Sequence, residues 1–456
     1  MMSSENALPA WFELLPLHLQ KLETALTEPR YMVTLAGQGK RFMIAPKLAD
    51  VIIQLQQKKC PEEAAQNLSL LWQREVSPEA LRQIIEQQML PSGMVYPAGQ
   101  EPPVPISIAE LRARSRRPLF ERLLTGQFRW RMIPPDFVRR VCMPLTIFYG
   151  LFSVLLAGLL IIATRWLLYT TVNRHFIGQV IGGFTPSEYL LSLLLLIIVI
   201  FVHEFGHASA QLRFGLPAGG IGFQLYHYIP AFFANVDASW RLKPASRMVV
   251  DIGGIYFQSI AGSLLFLVYL KTHFLPILTT VVVSDVLSVV ALNPFLRFDG
   301  YWLVADALAV PNLTNLSKKL WSQLRRRLLG RTVAASDIPP ISRTRAILVL
   351  WYGLMRNSFW CLLMAFLALR AERVLASVWA TLSRLSALEL EGLRTGNPAL
   401  ALASLIRLVL FILLVLTLST VAAGLVLKFA RWCRILVGKA WRRRAEATLS
   451  SMHQAS

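Results

Sequence analysis

The chain has 456 residues, 55% of them hydrophobic, a positive mean hydropathy and a formal net charge of +21. That apolar content, gathered into long runs, excludes a wholly water-soluble protein and predicts a polytopic α-helical membrane protein. The basic residues stand beside the apolar runs, so membrane topology and anionic lipid headgroups account for them, and nucleic acid is not an expected partner. Cys60, Cys142, Cys361 and Cys433 are widely scattered with no CxxC pair, which argues against a cysteine-based zinc site or a disulfide framework.

Residues 1–96 read as a small cytoplasmic α+β domain of winged-helix-like character, since MMSSENALPAWFELLP lacks the basic start and apolar core of a signal peptide. Arg30–Leu35 and Lys40–Ile44 flank AGQG and predict a hairpin. A helix is expected over Lys47–Lys58, with Leu48, Val51, Ile52 and Leu55 on one face. Pro61 opens a second helix, and Ser77-Pro78 caps a third that ends near Leu90, before an extended GMVYP. This order of hairpin and three helices resembles PqqD-like peptide-recognition domains. The resemblance implies that a precursor's leader peptide adds as a strand to the sheet edge. A packing or regulatory role is the alternative.

Residues 97–143 form a proline-rich spacer, EPPVPIS, and a basic collar. In the collar Arg112, Arg114, Arg116, Arg117, Arg122, Arg129, Arg131, Arg139 and Arg140 alternate with Leu119, Phe120, Phe128 and Trp130, a composition suited to an anionic membrane surface. The transmembrane domain is expected at 144–430, with six spans at about 144–168, 187–211, 252–270, 276–296, 346–369 and 400–428, followed by a basic tail at 431–456. Lys and Arg are dense in the collar, in 212–251, in 297–345 and after 428, and sparse in 169–186, 271–275 and 370–399. The positive-inside rule then puts both termini in the cytoplasm of a multi-pass protein of the cytoplasmic (inner) membrane.

The second span contains HEFGH. On a helix, residues four apart share a face, so His203 and His207 can close on one metal ion. Glu204 lies beside them, where a carboxylate can take a proton from an activated water. Ionisable groups in a span are costly and mark function. A catalytic zinc usually takes three protein ligands. Position 213 is Arg213, which rules out HExxHxxGxxH, and no Glu occurs between Glu204 and Glu372. Asp237, Asp251, Asp285, Asp299, Asp306 and Asp337 are therefore the carboxylate candidates, with His227 of FQLYHYIP as a further one. Asp299 sits at the cytoplasmic end of the fourth expected span. His203 lies about 22 Å along its helix from Glu188, at the same depth, whereas Asp285 would be roughly 20 Å nearer the outer leaflet. Pro294 and Gly300 permit irregular backbone there, which is allowed where it lines a cavity. The pieces GGIGFQL and AFFANV in the loop 212–251 predict a small sheet near the site.

HEFGH in one span and NPFLRFDG in a later one resemble the site-2 protease family of intramembrane zinc metalloproteases. The resemblance covers residues 187–302. It implies a Zn²⁺ held by His203, His207 and Asp299, Glu204 as catalytic base, and Asn293 as a group that binds the substrate strand or the developing oxyanion. The stretch PAFFANVDASWRLKPASRMVVDIGGIYFQ is similar to a branch of peptide zinc metalloproteases associated with peptide maturation or export. The implied function is endoproteolysis of a membrane-associated peptide, a ribosomally made precursor or a membrane-spanning protein near the cytoplasmic face, with peptide-export components as further partners. The alternative is a non-proteolytic receptor or export component that recruits a precursor peptide.

Overall fold

The computed structural model describes residues 12–22, 30–35, 41–57, 60–97, 128–171, 184–226, 228–328, 341–420, 422–424 and 427. The expectations for AGQG, EPPVPIS, Arg112 to Arg122, His227, Asp337 and the basic tail lie outside the described residues.

The N-terminal part opens with β1 (Phe12–Leu14), β2 (Leu17–Leu22), β3 (Arg30–Leu35) and β4 (Arg41–Ile44). It continues through α1 (Pro46–Gln56), α2 (Pro61–Trp72) and α3 (Pro78–Ile84), which runs into one π-helical turn at Ile85–Met89, and closes with β5 (Val95–Pro97). The sheet β2-β3-β4 is antiparallel, with Leu17 opposite Leu35 and Tyr31 opposite Ile44. A separate pair joins β1 to β5, with Phe12 opposite Pro97. Alternation sends Val33 and Leu35 of β3 inward, where they meet Val51, Ile52 and Leu55 of α1, Leu68 of α2 and Leu81 of α3 in one core. Each helix begins on a proline, whose missing N–H costs nothing in the first turn, and Ser77 also accepts from the Ala80 N–H at 3.2 Å. The hairpin and helices stand where the sequence places them. The strands β1 and β2 are additional, and β1 finds its partner some 80 residues on, beyond the reach of any local signal.

The remainder comprises β6 (Arg129–Ile133), α4 (Pro135–Leu145) with a 3-10 turn at Thr146–Tyr149, α5 (Leu151–Thr171), α6 (Pro186–Arg213), β7 (Ile221–Tyr226) and β8 (Ile229–Ala234). After a 3-10 turn at Asp237–Arg241 come α7 (Pro244–Thr272), α8 (Leu275–Ala291), α9 (Asp299–Ala307), α10 (Leu313–Leu328), α11 (Arg343–Leu369), α12 (Ala371–Thr395) and α13 (Pro398–Gly424). Among the described residues five helices, α5, α6, α7, α11 and α13, are long and apolar enough to cross a membrane. The segment expected as a fourth span, 276–296, is a shorter apolar helix of 17 residues, α8. It stops at Ala291 because Pro294 can donate no backbone bond and pushes Asn293 out of helical conformation. The expected first span, 144–168, is divided at Gly150, whose extended backbone separates the 3-10 turn from α5. The expected outer loop 370–399 is mostly the helix α12, a run without proline that ends on Gly396 in the left-handed region. It folds back on α13 through Gly392 against Ala401 and a 2.8 Å bond from Ser404 Oγ to Glu389.

The helices α6 and α7 touch backbone to backbone. A Cβ on Gly206 would land on the Gly253 carbonyl, so both positions need glycine for this approach. On the far side Arg165 of α5 pairs with Asp285 of α8 at 2.7 Å, and Tyr169 donates to the same carboxylate at 2.9 Å. At the other end β6, β7 and β8 form an antiparallel sheet in that order. The hairpin of β7 and β8 is the small sheet the sequence predicts. The collar residues Arg129–Ile133 join it as a strand, with Arg131 opposite Gly222. α4 packs Val138 and Cys142 against Ala208 and Ile221, and burial pushes the Cys142 thiol up to about 12, which leaves it unreactive.

Candidate metal centre

The site is built on α6, whose start is fixed by a capping box: the Glu188 N–H donates to Thr185 Oγ1 at 3.3 Å, and the Glu188 carboxylate accepts from the Thr185 N–H at 2.9 Å. Four turns later His203, Glu204 and His207 are all buried. The two imidazoles face one another, with their Nε2 atoms 3.1 Å apart.

Asp299 reaches the same point from a different part of the chain. The turn after α8 is held by Asn293 Oδ1, which accepts from the Phe295 N–H at 2.9 Å, and by Tyr352 of α11, which donates to the Pro294 carbonyl at 3.3 Å. Asp299 is the first residue of α9. Its neighbour Gly300 lies so close to the end of α8 that a Cβ would strike the Leu292 carbonyl. α9 is fastened to α7 by Arg247, whose Nε and Nη2 both donate to Asp306 Oδ1, at 2.8 and 2.7 Å. Asp299 Oδ2 thereby lies 3.1 Å from His203 Nε2, and Oδ1 lies 3.6 Å from His207 Nε2. The ligand atoms of these three residues all fall within 4.8 Å of one another.

The donor set fits a metal ion. His207 Nδ1 faces the Val250 carbonyl at 2.7 Å, an oxygen that can only accept, so Nδ1 carries the hydrogen and Nε2 the free lone pair. Two imidazole lone pairs and a carboxylate facing one another repel unless a cation lies between them. Ligands about 2.1 Å from a tetrahedral zinc stand about 3.4 Å from each other; here the imidazole nitrogens are 3.1 Å apart, one Asp299 oxygen lies 3.1 Å from His203 and the other 3.6 Å from His207, and one atom from each residue falls within 4.8 Å of the rest. Gly254 of α7 leaves the space open: a Cβ there would land on Nε2 of both His203 and His207. Glu204 lies beside this triangle, and its carboxylate also accepts from the backbone of Ala234, at the end of β8. Among the described residues β8 pairs with a strand on one side only, β7. Phe201 and Phe232 pack between strand and helix, tilted by 41° with ring centroids 4.3 Å apart.

The other carboxylate candidates lie outside this group. Asp285 belongs to Arg165, Asp306 to Arg247, Asp251 lies near Asp306 with Oδ2 buried and without a hydrogen-bond partner among the described residues, and Asp237 is exposed in the 3-10 turn. Gln258, Gly254 and Tyr352 were not singled out in the sequence. A glutamine within an otherwise apolar helix was the one available signal for Gln258.

The chain matches no protein-family model and no solved structure. It is similar to a Bacillus subtilis (strain 168) protein described as "Putative peptide zinc metalloprotease protein YydH", at 22% identity over 164 residues. The match covers 34% of this chain and 65% of the relative, so the chain spans a little under two thirds of that protein's length. In this chain, His203, His207 and Asp299 form a group that could hold a metal ion.

Proposed function

We propose that this protein is a zinc-dependent endopeptidase of site-2 protease type, lying in the cytoplasmic membrane with both termini inside, six spans (α8 being the fourth) and its site near the cytoplasmic face. The observation that carries the reading is the convergence of His203, His207 and Asp299 within 4.8 Å, with Glu204 buried next to them. Zinc bound there supplies positive charge that polarises a scissile carbonyl and acidifies a water. Glu204 accepts the proton of that water and hands it to the leaving amine. Substrate lies extended along β8, because a helical peptide would keep its scissile bond closed in its own i→i+4 ladder. Asn293 binds the same strand through its amide group while its oxygen holds the turn.

The substrate class is a membrane-associated or ribosomally made precursor peptide, or a membrane-spanning protein. Anionic lipids serve as the surface for the basic collar, and peptide-export components as downstream partners. The N-terminal domain holds the precursor close to the site, raising its effective concentration. In support, β2 of that domain lies beside the 3-10 turn Asp237–Arg241, which follows β8.

The test is cleavage in proteoliposomes of candidate precursors encoded beside this gene. Glu204→Gln should cut at least ~100-fold more slowly than wild type. Equal rates would refute the assignment of the base. Removing residues 1–96 should slow a full-length precursor at limiting concentration far more than a short peptide around the scissile bond. Equal losses would end the recruitment reading. A complete absence of cleavage with every precursor would favour the receptor or export alternative.

A further inference from the structure

His203 is held by a second buried side chain that reaches it from another helix. Its Nδ1 lies 2.6 Å from Oε1 of Gln258, on α7. The Gln258 amide nitrogen donates to the Ser284 carbonyl of α8 at 2.8 Å and approaches Ser284 Oγ at 3.1 Å. Gln258 is only 4% exposed, so its polar atoms have these partners or none. The orientation of the amide follows from chemistry. A carbonyl can only accept, so the NH₂ end must face Ser284, and the oxygen is left to face the imidazole. An amide oxygen also only accepts, so His203 Nδ1 must bear the hydrogen. Nε2 then presents its lone pair to Asp299 and His207.

We infer that Gln258 is a positioning residue for the metal centre: it selects the tautomer and ring angle of His203 and transmits them from α8 through α7 to α6. This rests on the metal reading given above. A bland role exists for the same contacts, since a buried amide can simply fasten helices together. The two roles separate in their consequences. Fastening depends on the amide's donor end, which grips Ser284. Positioning depends on its acceptor end, which grips His203, and partners of that kind typically govern metal affinity ~10–100-fold.

The experiment measures zinc dissociation constants by chelator competition on purified full-length protein, alongside the thermal midpoint and the visible spectrum of the cobalt form. Gln258→Leu should bind zinc ~10–100-fold more weakly than wild type and shift the cobalt bands. If Leu is not tolerated, Gln258→Met preserves side-chain length and asks the same question. Gln258→Glu keeps an acceptor for His203 but loses the donor for Ser284. It should lower the midpoint as Gln258→Leu does, yet bind zinc within about threefold of wild type. Unchanged affinity in both Leu and Met variants, or a Glu variant as weak as Leu, overturns the inference while leaving the metal site standing. Wild-type protein that binds no zinc removes both.

Discussion

At the scale of single residues, the site depends as much on what is missing as on what is present. Gly254 is the plainest case. It lies in α7, where alanine would ordinarily favour the helix by about 1 kcal/mol. Here the added Cβ would occupy the point where the two imidazole nitrogens converge. Gly254→Ala should therefore leave helicity unchanged or slightly higher and reduce zinc affinity at least tenfold. Circular dichroism and chelator competition on the same sample check both halves. Wild-type affinity in this variant would mean that the ion does not sit between His203 and His207. HEFGH was legible in the sequence because its chemistry is local: two histidines and a glutamate within one and a half turns need no knowledge of the fold. Gly254 and Gln258 were not, because each acts across an interface on residues about 50 positions away, and a glycine or glutamine in an apolar run does not name its partner.

At the scale of elements, the ligands are kept in place by couplings between helices. Arg165 and Asp285 join α5 to α8, and the end of α8 leads directly into the turn that carries Asp299. The pair is half-buried, and removing one member leaves the charge of the other without its partner against apolar helix surface. Asp285→Asn and Arg165→Met should each lower the thermal midpoint in detergent, and Arg165→Met with Asp285→Leu should recover most of it. Zinc content should stay near wild type in Asp285→Asn, since Asp285 is engaged by Arg165 and Tyr169. A loss of zinc there without a loss of stability would reopen Asp285 as a ligand. Rise per residue is a fixed quantity, so the sequence could set Asp285 well away from Asp299, and in the structure Asp285 meets Arg165 while Asp299 meets the two histidines. The strand β6 escaped notice for the opposite reason. RWRMI reads as a basic interfacial stretch, and its partner β7 lies some 90 residues downstream. α12 was missed because its charges recur every few residues, which reads as a polar loop when only membrane spans are sought.

At the scale of the whole molecule, the apolar content specified the class of protein, and the five long helices agree with it. The sixth crossing depends on α8, whose 17 residues reach about 25 Å, short of an average bilayer core of about 30 Å. Its length is offset by partners: α8 packs on α6 and α7 and is pinned by Arg165, so it need not meet lipid along its whole surface. If α8 crosses, the end of α7 before it and α10 after it lie on opposite sides of the membrane. In a cysteine-free background, Thr272→Cys at the end of α7 should react with an impermeant maleimide from outside, and Ser322→Cys on α10 only after permeabilisation. Labelling of both from the same side would remove α8 from the spans and with it the proposed orientation.

The central claim is that His203, His207 and Asp299 hold one zinc while Glu204 does not. Metal analysis of purified protein by mass spectrometry addresses it most directly. About one zinc per chain is expected in wild type and in Glu204→Gln, and nearly none in His203→Ala, His207→Ala or Asp299→Ala. Full zinc in Asp299→Ala, or its loss in Glu204→Gln, would contradict the account.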